Sequence, residues 1–521
     1  MLTSSNQHEA ARTKTTAGGL PAGYALTAEC NSTAAGNSPA ARDLMARRGL
    51  FARAFGSLPG AALAHLLGSD IGTAVRADQT AAGGGPATLQ PRPPHHAPRA
   101  RAAIQLFMNG GPSQMDLFDP KPVLNRMDGQ PFPGNRETLG NQGTADIGVL
   151  MGGRYRFNRH GESGQWMADV LPCTSACADD LCLIHSMWTD HPNHDNALYK
   201  IHSGRLFMGY PTLPAWVVYG LGSENQNLPA WVVLTDPLGP PKNGDRNWTS
   251  GFLPPVFQGT PLRATGSPIL NLRPQYEQPD AVTAAARQLQ QRLDELHRRD
   301  RPYEADLDAR IEAWGLAARM QLAASEALDL SRETQETQQR YGIGEEPTDS
   351  YGRRCLLARR LVERGVRFVQ LFMEEQPWDS HADLEANHRA VCRRTDRPTA
   401  ALLADLKERG LLDSTLLIWG GEFGRTPTTQ KAGRVYTGRD HNMQGFTSWL
   451  AGGGVRGGMS WGQTDEFGHR AIENPVSIAD FHATILHLLG LDHQLLSWER
   501  AGLEERLTGV VPPRVVTEVV R

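Results

Sequence analysis

Hydrophobic positions along the chain gather into short runs set off by glycine, proline and polar clusters, beginning near residue 102. The first run, Ala102–Met108, ends at Asn109-Gly110-Gly111-Pro112, so its length and flanks predict a buried strand entering a tight loop. Leu181–Ile184, Ala230–Leu234, Val366–Phe372 and Thr415–Trp419 have the same form. A helical pattern, Arg353–Arg364, precedes the run at 366. Strands alternating with helices predict an α/β fold whose mostly parallel central sheet carries helices on both faces. From 280 to about 345 the chain becomes charged, Gln-rich and Pro-poor, with helical periodicity broken at Pro302. This predicts a helical insertion packed on the flank of the sheet. No internal repeat is visible.

Ahead of residue 101 the pattern is lost. Residues 1–44 are rich in Ala, Thr, Ser, Asn and Gly. Such a segment cannot bury enough apolar surface to offset its ordering entropy, so it is expected to be a disordered extension. In 45–68, Arg47-Arg48 stands before the Ala/Leu run at Leu58–Leu67, which resembles a twin-arginine export signal. A short basic amphipathic helix is the alternative. Export predicts a periplasmic or secreted protein, and translation starting at Met45 would place the arginines where a signal needs them. Residues 69–100, with GGGP and PRPPHHAPRA, are expected to be an extended linker. The folded domain is then 101–495, and 496–521 form a C-terminal tail.

Composition narrows the function classes. With 521 residues, 40% of them hydrophobic, the chain can bury a large core. A formal net charge of −3 offers no basic stripe for nucleic acid. No run of about 18 apolar residues is present, so no transmembrane helix is expected in the mature form. Six cysteines are too few for a disulfide scaffold at this length. Cys173, Cys177 and Cys182 follow a CxxxCxxxxC spacing that matches no metal-ligand pattern.

Ligands of doubly wound sheets bind outside the carboxyl ends of the strands. The run at 102 is followed by Ser113, Asp116 and Asp119, and the run at 181 by His191, His194 and Asp195. Asp379 and His381 follow the run at 366, whereas Glu422, Arg425, Asp440 and His441 follow the run at 415. Four loops thus supply carboxylates and imidazoles. Mixed oxygen and nitrogen donors suit zinc, manganese or iron better than calcium. One or two divalent ions, of the zinc or manganese type, are expected.

The stretches Phe107–Pro122 (FMNGGPSQMDLFDPKP) and Gly421–Pro427 (GEFGRTP) resemble a bacterial, planctomycete-type domain family of unknown function, number 1501. That family is a branch of the alkaline phosphatase and sulfatase superfamily. The segment from Gly452 (GGGVRGG) to Val476–Gly490 (VSIADFHATILHLLG) is similar to the superfamily's C-terminal signature. The resemblance implies an alkaline-phosphatase-like fold and carries several residues over. Asp379 and His381 match an Asp and His pair on one metal, and His441 matches a late ligand histidine. Glu422-Phe423 stands where the superfamily has Asp-His, so a carboxylate is kept and an imidazole is replaced. Asn109 occupies the place of the first strand's aspartate, and Asp116 is the substitute ligand.

The superfamily's nucleophile opens a helix that ends, ten residues on, in a small-residue–Gly step. Here that step is Ser203-Gly204, and counting back reaches His194. Histidine can ligate a metal or act as a nucleophile, but it cannot become the formylglycine of sulfatases. The resemblance therefore implies a sulfatase-like, metal-dependent hydrolase of phosphate or sulfate esters that uses water attack. Its substrate would be a small-molecule or polysaccharide ester. His194 and Arg425 are the candidate catalytic residues, Arg425 either holding the anion or pairing with a nearby carboxylate. Asp116, His191, Asp379, His381, Glu422 and His441 are the candidate ligands. The alternative is a non-catalytic exported binding protein that keeps the fold and a structural metal.

Overall fold

A computed structural model describes residues 88–521, apart from 136–138, 140–146, 264–268, 270–278, 302–303 and 431–436. The expected extension, the export signal, the first part of the linker and the break at Pro302 lie outside the described residues.

The strands that bear on the site are, in chain order, β1 (Ala102–Phe107), β2 (Leu181–Trp188), β3 (Trp231–Leu234), β4 (Thr260–Leu262), β5 (Phe368–Phe372), β6 (Thr415–Gly420), β7 (Gly424–Gln430), β8 (Arg439–Asn442), β9 (Phe446–Ala451) and β10 (Met459–Trp461). The central sheet runs β10-β2-β9-β6-β1-β5-β3-β4, and all its members are parallel except β9. All five runs expected as strands are strands of this sheet. The antiparallel β9 was not expected, because Thr447 and Ser448 interrupt its apolar run. A smaller sheet joins β8, β7 and Ile147–Leu150.

The helices used below are α1 (His194–Ser203), α2 (Leu213–Leu221), α3 (Asp280–Asp300), α4 (Ala305–Leu328), α5 (Asp349–Glu363), α6 (Leu384–Glu408) and α7 (Ile478–Leu488). Every residue of β1 is buried, because both faces of the sheet are covered. Ile104 and Leu106 pack with Leu356 and Leu361 of α5 and Leu402 of α6. Ala103 and Phe107 point the other way, toward Leu198 of α1, Trp216 of α2 and Phe481 of α7. The helical insertion is present as α3 and α4, and Met320 and Ala324 of α4 join the first of these cores.

One polar ladder crosses the apolar sheet. Trp231 Nε1 donates to Gln370 Oε1 at 3.0 Å, and Gln370 Nε2 donates to Gln105 Oε1 at 2.7 Å. These buried partners on β3, β5 and β1 disfavour a register slip, which would strand them unpaired. At the amino end, the Arg99 and Ala100 N–H groups donate to Leu488 O, so residues 88–100 end against α7. The segment 496–521 places Leu507, Val516 and Val519 in the core shared with α7.

Candidate metal centre

The carboxyl ends of β2, β5 and β6 lead into the cluster. His194 opens α1 just after the cap Asn193, whose side chain accepts from Asp195 N. Asp379 and His381 lie in the loop after β5, and Glu422 lies between β6 and β7. His441 sits on β8, in register with Arg425 of β7. Asn109 fixes the β5 loop from the end of β1, donating to Met373 O at 2.8 Å and Glu375 O at 2.7 Å. Next to it, Gly110 has a φ of +110°, and a Cβ there would stand 2.5 Å from Asp379 N. Only glycine fits that approach.

His194, Asp379 and His441 bring one donor atom each to within 4.8 Å of one another, and so do His381, Asp440 and His441. His194 Nε2 is 3.3 Å from Asp379 Oδ2, and His441 Nε2 is 3.4 Å from Asp379 Oδ1. A tetrahedral ion with bonds of about 2.0–2.1 Å has ligand edges of about 3.3–3.4 Å, and each imidazole stands at such a separation from one of the two Asp379 oxygens. The far sides of both imidazoles are tied down. His194 Nδ1 meets Glu422 Oε1 at 2.6 Å, and His441 Nδ1 donates to Pro192 O at 2.8 Å. Outer partners of this kind fix the tautomer and turn Nε2 inward. His381 Nδ1 is buried without a hydrogen-bond partner, as a nitrogen awaiting a cation would be, and His194 Nε2 faces only the Asp379 carboxylate. The residues present therefore fit a divalent ion.

The electrostatics follow from the same contacts. Burial would raise the Asp379 carboxyl, but Arg425 and the bonds from His194, His381 and His441 outweigh it and hold it well below the usual range. Burial would lower His194, yet bonds to Asp379 and Glu422 leave it above its ordinary value. Burial pushes His441 down to about 4, with Arg425 and His194 adding to the effect and Asp379 opposing it. The two histidines diverge because His194 faces two carboxylates and His441 faces a carbonyl and one more distant carboxylate.

Of the residues expected to ligate, Asp379, His381 and His441 come together, and His194, expected to be catalytic, joins them as a donor. Glu422 is beside them but one step out, holding His194 and accepting from Gly110 N at 3.0 Å. Asp116 is given to Arg439 instead, at 2.8 Å with both side chains fully buried. It also accepts from Ser113 Oγ and Arg154 N, which fills its acceptor sites. His191 is not in the cluster; its Nδ1 accepts from Asn193 N at 3.1 Å. Of the two roles open to Arg425, holding an anion or pairing with a carboxylate, the structure has the pairing. It is fully buried and donates to the carbonyls of Gly110, Gly111 and Arg439 and to Asp379 Oδ1. That makes it a positioning group for Asp379. Phe423 packs its ring 4.7 Å from His194 and 4.5 Å from His441, giving the cluster an apolar wall. Asp440 is the donor left out of the expected ligand set, although its place beside His441 is plain in the sequence.

Comparison with solved structures finds low similarity over much of the chain. The lipoteichoic acid synthase LtaP from Listeria monocytogenes is 9% identical with a TM-score of 0.32, covering 81% of this chain and 80% of that one. The PsFucS1 sulfatase from Pseudoalteromonas sp. is 13% identical with a TM-score of 0.32, covering 76% and 69%. A TAB5 alkaline phosphatase mutant is 11% identical with a TM-score of 0.31, covering 76% and 99%. Scores this low carry nothing about chemistry. No curated protein matches the sequence. The model of the family described as "Protein of unknown function (DUF1501)" matches residues 100–520, and the chain belongs to that family.

Proposed function

We propose that this chain is a metal-dependent hydrolase of phosphate or sulfate esters that works with one divalent ion of the zinc or manganese type. The observation that carries this is the trio His194, Asp379 and His441, with coordination-like separations and both outer imidazole nitrogens tied down. His441 has one nitrogen to offer, since its Nδ1 is committed to Pro192 O. The two trios that share it are therefore alternatives for a single ion. Bound there, the ion would polarise the ester and acidify a water.

The residues supply the rest. Arg425 holds Asp379 in place, and Glu422 holds His194. His381 stands beside the trio, with its side chain one-third exposed and Nε2 3.0 Å from Asp379 Oδ1. A proton on that Nε2 leaves a lone pair on Nδ1. That lone pair is buried and faces the second trio with Asp440 and His441, so His381 serves the site as an alternative donor for the ion. Water attack needs no side-chain nucleophile, which fits a histidine at 194. We place the protein outside the cytoplasm by the twin-arginine route; among the described residues no helix is long and apolar enough to cross a membrane.

One observation favours a second reading, an exported binding protein with a structural metal. Arg425 already balances the charge of Asp379 from inside the fold. Metal analysis of the purified chain, followed by assays on aryl phosphate and sulfate esters, separates the two. The hydrolase predicts about one ion per chain, and His194→Ala should lose metal and turnover in proportion. Metal without turnover leaves the binding protein. A wild type that retains no zinc or manganese ends the metal reading.

A further inference from the structure

A cavity of about 590 Å³ opens beside the loop that carries His381, lined in part by Asp383 and Thr437. The Asp383 N–H donates to Thr437 Oγ1 at 2.8 Å, and Arg439 N donates to Ser380 O at 3.0 Å. These bonds tie the loop at 379–383 to the start of β8, so one corner of backbone separates the cavity from the metal centre. One wall is a single face of α6, where Ala386 and Ala390 alternate with Arg389 and Arg393 at helical spacing. The alanines leave room, and the arginines border it.

The guanidinium groups are not equally engaged. Arg389 pairs with Glu385 at 3.2 Å and lies over the Tyr155 ring. Arg393 is exposed and has no ion-pair partner among the described residues. Arg154 lines the cavity as well, with its Nε buried and without a partner, and its Nη2 3.9 Å from Asp128, beyond hydrogen-bond length. A buried guanidinium nitrogen left open is costly unless something arrives to accept from it. Glu385 is held by Arg389, and Asp383 keeps its charge, so the three arginines of the lining exceed its two acids by one positive charge.

We propose that this cavity is a subsite for a second sulfate or phosphate group, so that the substrate is a polyanion with one oxyanion at the trio and another at the arginines. Guanidinium forks match such groups bidentately, which a lone ammonium does not. The proposal rests on the hydrolase reading for the first group only. Titration calorimetry with a short dextran sulfate, at fixed ionic strength, tests it on metal-loaded and chelator-treated protein. The double variant Arg154→Gln/Arg393→Gln should bind about 10- to 100-fold more weakly than the wild type. Arg299→Gln, an exposed arginine on α3, should bind as the wild type does. Matching unfolding midpoints establish that both variants are folded. Equal affinity in the double variant and the wild type overturns the subsite, as does absence of binding by the wild type. Arginine-dependent binding by a protein that holds no metal would instead leave the subsite standing and remove the hydrolase.

Discussion

The carboxylate of Glu422 is fully buried, and both its oxygens lie within 3.2 Å of Gly110 N while Oε1 also meets His194 Nδ1. Its effect on the cluster is therefore indirect: it sets which imidazole nitrogen carries the proton. Glu422→Gln keeps the shape but removes the charge that strengthens this bond. Zinc affinity, measured by competition with a chelator, should fall about 10- to 100-fold, with the fold intact. Wild-type affinity in that variant would show that His194 is oriented by something else. The sequence could place Glu422 near the site but not one step outside it, because ligand and outer partner differ by only a few ångströms. Asp116 was misplaced for a related reason. Its partner Arg439 is 323 positions away, and no local pattern reveals such a pair.

At the scale of elements, the parallel strands were legible because burial on both faces writes them as continuous apolar runs. β9 was not, because Thr447 and Ser448 break its apolar run; Ser448 packs against Gly420, where a Cβ would stand 2.3 Å from Ser448 Oγ. The helices add a feature that periodicity alone hides. α1, α6 and α7 each turn a histidine inward: His202, His388 and His482 are all buried. Burial drives His202 and His388 down to about 3 and His482 to about 4, against the pull of Asp116 on His388 and of the Ile201 carbonyl on His482. In the unfolded chain these imidazoles protonate near pH 6.5, so below that pH the unfolded state binds more protons. Stability is then lost as the pH falls from about 6.5 toward 3–4, by about 2 kcal/mol for each residue at pH 5. The urea midpoint should drop clearly between pH 7.5 and pH 5. An unchanged or higher midpoint at pH 5 would mean that these histidines are not buried neutral.

For the whole molecule, the α/β architecture and the helical insertion were readable, and the proposal that the chain is exported rests on sequence alone. Arg47-Arg48 before an Ala/Leu run motivates that expectation. The double variant Arg47→Lys/Arg48→Lys should therefore accumulate inside the cell, as judged by fractionation and immunoblot. Undiminished recovery outside the cytoplasm would remove this segment as the signal. The sheet order has a consequence for how the chain comes into being. Among the described residues β2 pairs only with β9, β10 and Val476–Ser477, all encoded far downstream of it. While the ribosome is still making the middle of the protein, β2 has no native neighbour on either side. Its apolar edge must wait for the last part of the chain, and during that interval a chaperone, or another nascent copy, is its only available company.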